Sequence, residues 1–525
     1  MSWGMGMDSN WSRVTVVQSP FANCPTTTMG QLQAWVSDLN LRDPLVAASL
    51  LILSLSITAT IWKSYDSLSS FPGPRLAAWS RIYSVWIVLT GREHEWLLQA
   101  HDKYGPLVRW QPNLLLINDP TMLPKIYHLR ANKTRHYNHS PSDVKGMVEE
   151  SDWQKHRAKR HRIDSAFSPK AIFDNEELVD VFVTKWIDAL SAQFATNGNI
   201  FDFSDWGNFL ALDVVTKTFF GQEMGFIEHG DKNSILADTR ANGPTIHALA
   251  RLPRLKMFLL RSFGRFLVPT AGDGSGLGNV LLLRDQLYQE RLNTKDKDLR
   301  IGYFLIICTT MRSAMKSSKK ILGASDTTGH GIRCLIRNLL QHPPCLARLR
   351  REIDDTVRRN GGIDQIRFAH INSQMPYLSA CIRESLRHDP PIVSFLPRWV
   401  DGPDGVELCG RFVPPGVEVA CSPYVLSRNR DLYGPDVHSF RPERYSEASE
   451  EWVAKAARYD FVFGYGPRHC IGQRLSHFLT CKAIVQLFHH FDVDLIDPGS
   501  GKAFLNWNYS GLRLRLSRRA NDGAI

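Results

Sequence analysis

Residues 463–472 read Phe-Gly-Tyr-Gly-Pro-Arg-His-Cys-Ile-Gly, and this glycine-rich stretch places one cysteine, Cys470, close to an arginine and a histidine. A cysteine binds metal as the thiolate, whose charge must be stabilised by its surroundings. Glycines help because they let backbone N–H groups approach the sulfur closely. The stretch therefore predicts that Cys470 is a metal ligand. The alternative is a buried structural cysteine beside a glycine turn.

Two further pairs of residues stand at helical spacing. Glu384 and Arg387 are three residues apart, and Trp153 and Arg157 are four apart, so each pair shares one face of a helix. Alone, an exposed Glu/Arg pair contributes only about 0–1 kcal/mol and indicates little. An indole N–H and a guanidinium, however, are both donors suited to carboxylates. Trp153 could equally be a core aromatic, and the basic residues around it a solvated helix face.

A carboxylate and a hydroxyl stand side by side at Asp326 and Thr327, within the sequence Gly-Ala-Ser-Asp-Thr-Thr of residues 323–328. On one turn of a helix the two groups could relay protons to a bound molecule. The small residues before them would leave room for that molecule. In isolation, an Asp-Thr pair is more often a helix cap or a turn.

In their order along the chain, these segments resemble the signatures of the cytochrome P-450 superfamily. Residues 463–472 are similar to the haem-binding loop of that family. The Glu-x-x-Arg of residues 384–387, with the later Phe-Arg-Pro-Glu-Arg of residues 440–444, is similar to its Glu-Arg-Arg triad. The resemblance covers roughly residue 71 to the end of the chain.

The resemblance implies a role for each matching residue. Cys470 would be the axial ligand of haem b, and Asp326 and Thr327 would be the catalytic pair that delivers protons for oxygen activation. The residues implied in cofactor binding are Trp153, Arg157, Arg398, Phe463, Arg468 and Gly472. Those implied in holding the cysteine loop in shape are Glu384, Arg387 and Arg444.

The resemblance also implies a mainly α fold with small peripheral β-sheets, in one large haem-thiolate catalytic domain of residues 76–525. The implied activity is a monooxygenase that inserts one atom of dioxygen into an apolar small molecule. Its electrons would come from an NADPH-dependent flavoprotein reductase. By family position, residues 252–260, 392–396 and 507–509 and the loop before Trp153 would line the substrate pocket.

The sequence is similar to fungal members that act in secondary metabolism, including the pisatin-demethylase-like group. Hydroxylation, demethylation and oxidative coupling therefore all remain open, as does the substrate. The alternatives to a monooxygenase are a reductase-independent haem-thiolate isomerase or peroxygenase, and an inactive haem-binding protein.

The chain departs from the family pattern in two places. Residues 323 and 324 read Gly-Ala, where the family has Ala-Gly. In the stretch of residues 299–320, an apolar run without helical alternation at residues 301–308 is followed at residues 312–320 by a basic segment short of apolar side chains, where the family has a long apolar helix. Lysines in the wall of an active site would be costly to bury. This segment reflects either a departure with functional meaning or an error in the gene model.

The N-terminal part of the chain predicts a membrane anchor. Residues 45–62 are uncharged, and their number is close to the roughly 20 that span a bilayer. A buried core helix is the alternative. A proline-rich hinge follows at residues 63–75, and residues 1–44 would be a leader that starts at Met1 or Met29. These features favour the endoplasmic reticulum membrane, with the catalytic domain in the cytosol.

Charge and cysteine usage agree with this class of protein. The formal net charge is +11, but Lys and Arg are spread along the chain and no nucleic-acid motif is present. A membrane surface and an acidic redox partner therefore fit better than nucleic acid. The nine cysteines show no paired spacing, which argues against a disulfide framework or a zinc site and indicates a reducing compartment.

Overall fold

The computed structural model describes residues 44–137, 145–232, 234–263 and 319–519, together with scattered positions between 272 and 289. The described residues do not include either candidate start residue, almost all of the predicted leader, or residues 299–318 of the stretch that departs from the family pattern. Internal contacts divide the chain into two compact units, Met1–Asp66 and Ser67–Ile525.

Helices make up most of the described chain, as the sequence predicts. In the helix of residues 343–359, for example, the buried residues Leu349, Ile353 and Val357 recur every four positions, so one face packs inward. The helices, α1 to α21 in chain order, are Pro44–Asp66, Arg75–Trp79, Ile82–Leu89, Glu93–Tyr104, Leu123–Ile126, Trp153–His161, Pro169–Phe173, Glu176–Leu190, Trp206–Phe220, Phe226–His229, Ile235–Arg251, Pro253–Ser262, Lys319–Gln341, Pro343–Arg359, Phe368–Gln374, Pro376–His388, Pro423–Leu426, Arg430–Tyr433, Glu443–Ser446, Glu450–Arg458 and Gln473–His490.

The strands of the described residues form three small sheets. They are β1 to β9 in chain order: Leu107–Gln111, Leu114–Ile117, Phe201–Asp202, Arg398–Trp399, Val406–Leu408, Arg411–Val413, Glu418–Ala420, Phe491–Ala503 and Trp507–Arg518. The sheet orders are β1-β2-β7-β4, β3-β9-β8 and β5-β6, and only the β2/β7 pair is parallel. The first sheet fixes Arg398, which stands opposite Val419 in β7.

Helix α13 lies at the centre of the main hydrophobic core and packs against α9, α16 and α21. Ile336 of α13 is fully buried there with Trp186 of α8 and Phe478 of α21. Helices α9 and α13 cross so closely that a Cβ on Gly329 would lie 2.6 Å from the backbone nitrogen of Asn208. This close crossing brings the polar end of α13 against α9.

The predicted anchor, residues 45–62, lies within helix α1. Several of its apolar side chains, including Leu51 and Ile52, are more than half exposed. Among the residues that the structure describes, no helix is both long enough and apolar enough to cross a membrane.

Candidate functional site

The cysteine loop, residues 463–472, contains a short 3-10 turn at Gly466–Arg468 and ends where helix α21 starts, directly after Gly472. The backbone N–H of Cys470 donates to the Phe463 carbonyl at 2.8 Å. This hydrogen bond closes the loop, so its first and eighth residues are held together. The sulfur therefore sits on a backbone of defined shape.

One glycine of the loop admits no side chain. Gly466 has a φ of +65°, and a Cβ at this position would lie 2.3 Å from the Tyr127 carbonyl oxygen. Gly464 also has a positive φ, +77°, but a Cβ there would meet nothing closer than 3.9 Å. Backbone conformation favours glycine at both positions, whereas the close approach of another strand of chain requires it only at Gly466.

The surroundings of Cys470 contain some groups that raise the pKa of its thiol and others that lower it. Its side chain is accessible, although desolvation by the surrounding protein raises the pKa of the thiol. Backbone N–H groups of Gly472 and Gln473 and the positive charge of Arg160 lower that pKa. Arg160 also donates from Nη1 to the His469 carbonyl at 2.5 Å. The loop thus offers one sulfur with several groups that stabilise its ionised form.

Three cations, Lys133, Arg398 and Arg468, form a cluster in which the first two are buried. Lys133 pairs with Arg398 across a β-bridge, and both cations lie over the Tyr137 ring. Burial and repulsion from Arg398 lower the pKa of Arg468 to about 10, and the same causes hold the pKa of Lys133 well below its usual range. Arg468 donates to two backbone carbonyls, at 2.6 and 2.8 Å.

The surroundings of this cation cluster offset its charge only in part. Glu149 and Glu150 attract Lys133, but the Glu150 carboxylate is already paired with Lys159. The pKa of the buried His156 is lowered to about 3 by burial and by the charges of Arg468 and Lys133. Like charges at this density destabilise one another unless an anion lies between them. The cluster is therefore suited to a ligand with carboxylate groups.

The predicted pair on helix α6, Trp153 and Arg157, differs in burial. Trp153 is half-buried. Arg157 is exposed, and the Arg157 side chain makes no hydrogen bond or ion pair with the described residues. The residue of α6 that does reach the cysteine loop is Arg160, which sequence analysis missed. The signal for it was available, because Arg160 stands seven residues after Trp153 and so shares a helix face with it.

The structure brings Glu384, Arg387 and Arg444 together. Arg387 donates from Nε and Nη2 to the two carboxylate oxygens of Glu384, at 2.8 Å each, and Arg444 lies 3.5 Å from the same carboxylate. The side chains of all three residues are at most 3% exposed. The remaining donors of Arg387 reach the backbone carbonyls of Ser427, Val437 and Ser439.

Asp326 and Thr327 lie on helix α13 but make different contacts. Burial raises the pKa of Asp326, whose carboxylate accepts hydrogen bonds from the side-chain amides of Asn208 (3.2 Å) and Asn506. The Thr327 hydroxyl donates to the Gly323 carbonyl of its own helix, at 2.9 Å. Sequence analysis missed both asparagines, which stand 118 and 180 residues from Asp326 and belong to no motif.

Two of the predicted lining segments, residues 392–396 and 507–509, are neighbours in the structure. The Val393 N–H donates to the Leu505 carbonyl at 2.9 Å, just before β9 begins. The third segment begins one residue before helix α12 and continues within it, and part of the loop before Trp153 lies outside the described residues. The structure therefore places two segments of the predicted pocket wall side by side.

These features fit the predicted cofactor. Haem b accepts one axial thiolate and carries two propionate carboxylates. The accessible sulfur of Cys470 matches the first need, and the cation cluster matches the second. Lys133 joins the predicted Arg398 and Arg468 in that cluster, although no sequence motif marked it.

Comparison with known proteins agrees with the predicted cofactor. The cytochrome P-450 family model matches residues 72–516. The mpaDE cytochrome P-450 monooxygenase of Penicillium roqueforti is 27% identical over 492 residues, which cover 89% of this chain and 57% of that protein. A cytochrome P-450 monooxygenase of Aspergillus terreus is 27% identical over 479 residues, which cover 86% of this chain and 95% of that protein.

A further relative, the cytochrome P-450 monooxygenase pkfB of Emericella nidulans, is 28% identical over 506 residues, which cover 92% of this chain and 97% of that protein. The chain thus spans little more than half the length of the mpaDE relative and nearly all of the other two. Since the family model covers most of the sequence and includes the cysteine loop, the chain belongs to the cytochrome P-450 family, whose members are monooxygenases that bind haem b through a cysteine thiolate.

Proposed function

We propose that this chain is a haem-thiolate monooxygenase that inserts one atom of dioxygen into an apolar small molecule of fungal secondary metabolism. The observation that carries the proposal is the Cys470 thiol, which is accessible and has two backbone N–H groups and a guanidinium beside it. The named relatives are monooxygenases of filamentous fungi, which supports the same reaction class.

The protein's own residues would bind and orient the cofactor. Cys470 would supply the thiolate ligand, and Lys133, Arg398 and Arg468 would bind the propionates, with Trp153 and Arg157 as further donors from helix α6. When bound, a thiolate-ligated haem activates dioxygen for oxygen transfer. Glu384, Arg387 and Arg444 hold the segments behind the cysteine loop in place.

Protons for oxygen activation would pass through Asp326 and Thr327. The raised pKa of Asp326 makes its carboxylate easier to protonate than a carboxylate in water, as a proton carrier requires. Asn208 and Asn506 donate to the two carboxylate oxygens and so orient the group. The pair of hydroxyl and carboxylate favours the oxygen-activating reaction over the isomerase alternative, which needs no proton delivery.

The test of this function is the difference spectrum of the reduced, haem-loaded full chain with carbon monoxide. We expect a strongly red-shifted Soret band for the unaltered protein and its loss in Cys470→Ser. The control is Cys345→Ala, which removes a partly buried cysteine outside the loop and should leave the band unchanged. A Cys470→Ser protein that keeps the red-shifted band would refute the assignment of the ligand.

We propose that the electrons come from an acidic flavoprotein reductase that docks on helix α6. Two exposed cations of this region, Lys155 and Arg162, stand in or directly after the helix whose Arg160 contacts the cysteine loop. Arg474 is exposed at the start of α21. Charge complementarity would steer an acidic partner to this face. Rates of reduction that fall steeply with rising salt would support this docking mode, and salt-independent rates would refute it.

We also propose that the protein associates with the endoplasmic reticulum membrane through apolar surface on helices α2, α3 and α12. Helix α11 packs against α3 and leads directly into α12. Large exposed apolar surfaces on a soluble domain indicate a binding surface for protein or membrane. The most exposed of these side chains are Leu76, Trp79, Ile82, Trp86, Leu89 and Phe258. Flotation with lipid vesicles tests this, with a Trp79→Ser/Ile82→Ser variant expected to bind more weakly.

A further inference from the structure

Arg160 of helix α6 connects a surface carboxylate to the cysteine loop. Its Nε donates to Oδ1 of Asp164 at 2.9 Å, and its Nη1 donates to the carbonyl of His469, the residue directly before Cys470. The side chain of Arg160 is 23% exposed, and that of Asp164 is 50% exposed. One guanidinium therefore contacts both the protein surface and the loop that carries the proposed ligand.

The backbone around Arg160 holds the guanidinium in this position. Arg160 stands in the last turn of α6, where the helix dipole favours a cation. The Ile163 N–H donates to the Arg160 carbonyl at 3.0 Å, and this turn brings Asp164 back beside the helix. A guanidinium is planar, so contacts from two of its nitrogens fix its orientation. The charge of Arg160 is thus held at one place relative to the closed cysteine loop.

The charges on this side of Cys470 differ in their exposure to water. Within the described part of the chain, the side chain whose charge acts on the Cys470 sulfur is that of Arg160. Asp164 is bound to Arg160, but water screens a half-exposed anion more strongly than a guanidinium that lies mostly inside the protein. Asp164 therefore offsets the positive charge beside the loop only in part.

This charge becomes important when an electron arrives. One-electron reduction of a group bound through Cys470 adds one negative charge to the site. A fixed cation nearby stabilises the added charge, and a fixed anion nearby opposes it. The groups around the axial ligand are one of the means by which a protein sets the potential of a haem.

We propose that Arg160 is a positioning residue that raises the reduction potential of the site through its fixed charge, and that Asp164 lowers this potential from the surface. The inference rests on the proposed function, because the electron is accepted by the group that Cys470 binds. Arg160 then favours acceptance of the first electron. A residue that only held the loop in shape would not give Asp164 an effect of the opposite sign.

The experiment measures the midpoint potential of the haem-loaded full chain by spectroscopic redox titration. Arg160→Gln should make the site about 10-fold harder to reduce, which corresponds to a potential about 59 mV lower for one electron. Asp164→Asn should raise the potential, and by less, because Asp164 is more exposed. An unchanged potential in Arg160→Gln, or an unchanged or lower one in Asp164→Asn, would overturn the proposal.

Two further variants separate the charge of Arg160 from its hydrogen bonds and from the general charge of the protein. Arg160→Lys keeps the charge but loses the planar fork, so it should retain most of the potential of the unaltered protein. Lys170→Gln removes the same charge from an exposed position on helix α7 and should leave the potential unchanged. If Arg160→Lys or Lys170→Gln lowers the potential as far as Arg160→Gln, the proposal is wrong. Where Arg160→Gln does not retain haem, Asp164→Asn decides by its own criterion.

The carbon monoxide spectrum of the same samples separates this inference from the function on which it rests. A red-shifted band together with unchanged potentials in the variants overturns the role of Arg160 alone. A missing band in the unaltered protein overturns the haem-thiolate function and, with it, this inference.

Discussion

Replacing Arg387 by methionine should destabilise the protein strongly, because this arginine neutralises a carboxylate that has no access to water. Glu384 and Arg387 are 0% and 1% exposed at their side chains. Arg387 donates twice to Glu384 and once to each of three backbone carbonyls. Methionine would fill most of the volume but donate to none of these five contacts.

The size of the effect follows from what would remain. Glu384 would keep Arg444 at 3.5 Å and the Arg441 N–H at 2.9 Å, so its charge would be only partly compensated. Removing one partner of a buried ion pair costs about 3–5 kcal/mol. The three carbonyls would also lose their donor, at about 1–3 kcal/mol for each group left unsatisfied, although such costs are not additive. We therefore expect a loss of at least about 3 kcal/mol in the free energy of unfolding.

Urea unfolding of the haem-loaded chain, followed by circular dichroism, measures this loss. The control is Arg348→Met, which makes the same change of charge at a position 42% exposed and breaks an ion pair with Glu447 (2.7 Å). An exposed pair contributes about 0–1 kcal/mol, so this variant should stay close to the unaltered protein. If the two variants differ by less than about 1 kcal/mol, the triad does not depend on buried charge pairing and the reasoning fails.

Three other predictions concern the cysteine loop, the cation cluster and proton delivery. Gly466→Ala should lower the melting temperature more than Gly464→Ala. Both substitutions introduce roughly 1–2 kcal/mol of backbone strain at a positive φ, but only the alanine at position 466 would also overlap a backbone carbonyl oxygen. Equal losses of melting temperature in the two variants would contradict this. The pKa of His156 is about 3 in the folded protein, against 6.5 in the unfolded chain. Between pH 6.5 and 3 only the unfolded chain binds the proton, so the haem-free protein should lose stability as the pH falls through this range. His156→Gln should flatten this part of the pH dependence of urea unfolding, and an unchanged slope would argue against it. Asp326→Asn should lower the rate of product formation about 100-fold and raise peroxide release per NADPH consumed; unchanged coupling would remove Asp326 from the proton path.

Sequence alone was enough for the family and for the fold class. The mainly helical architecture with small sheets is confirmed, because the period of apolar residues and the positions of glycine and proline act locally. The spacing of Glu384 and Arg387 predicted a shared helix face, and the structure shows the pair in contact. Residues 45–62, which were predicted to form a membrane anchor, are helical in the structure. No helix among the described residues is both long enough and apolar enough to cross a membrane.

Only the tertiary structure decided which distant side chains act on one another. The partners of Asp326 come from α9 and from the turn before β9, and Arg251 reaches Glu93 across 158 residues of sequence. Lys133 enters the cation cluster through a β-bridge to Arg398. No local pattern encodes such contacts, because they depend on how helices and sheets pack. Sequence therefore predicted the ligand, the cofactor and the reaction class, whereas burial and long-range pairing determined the charge environment of the residues concerned.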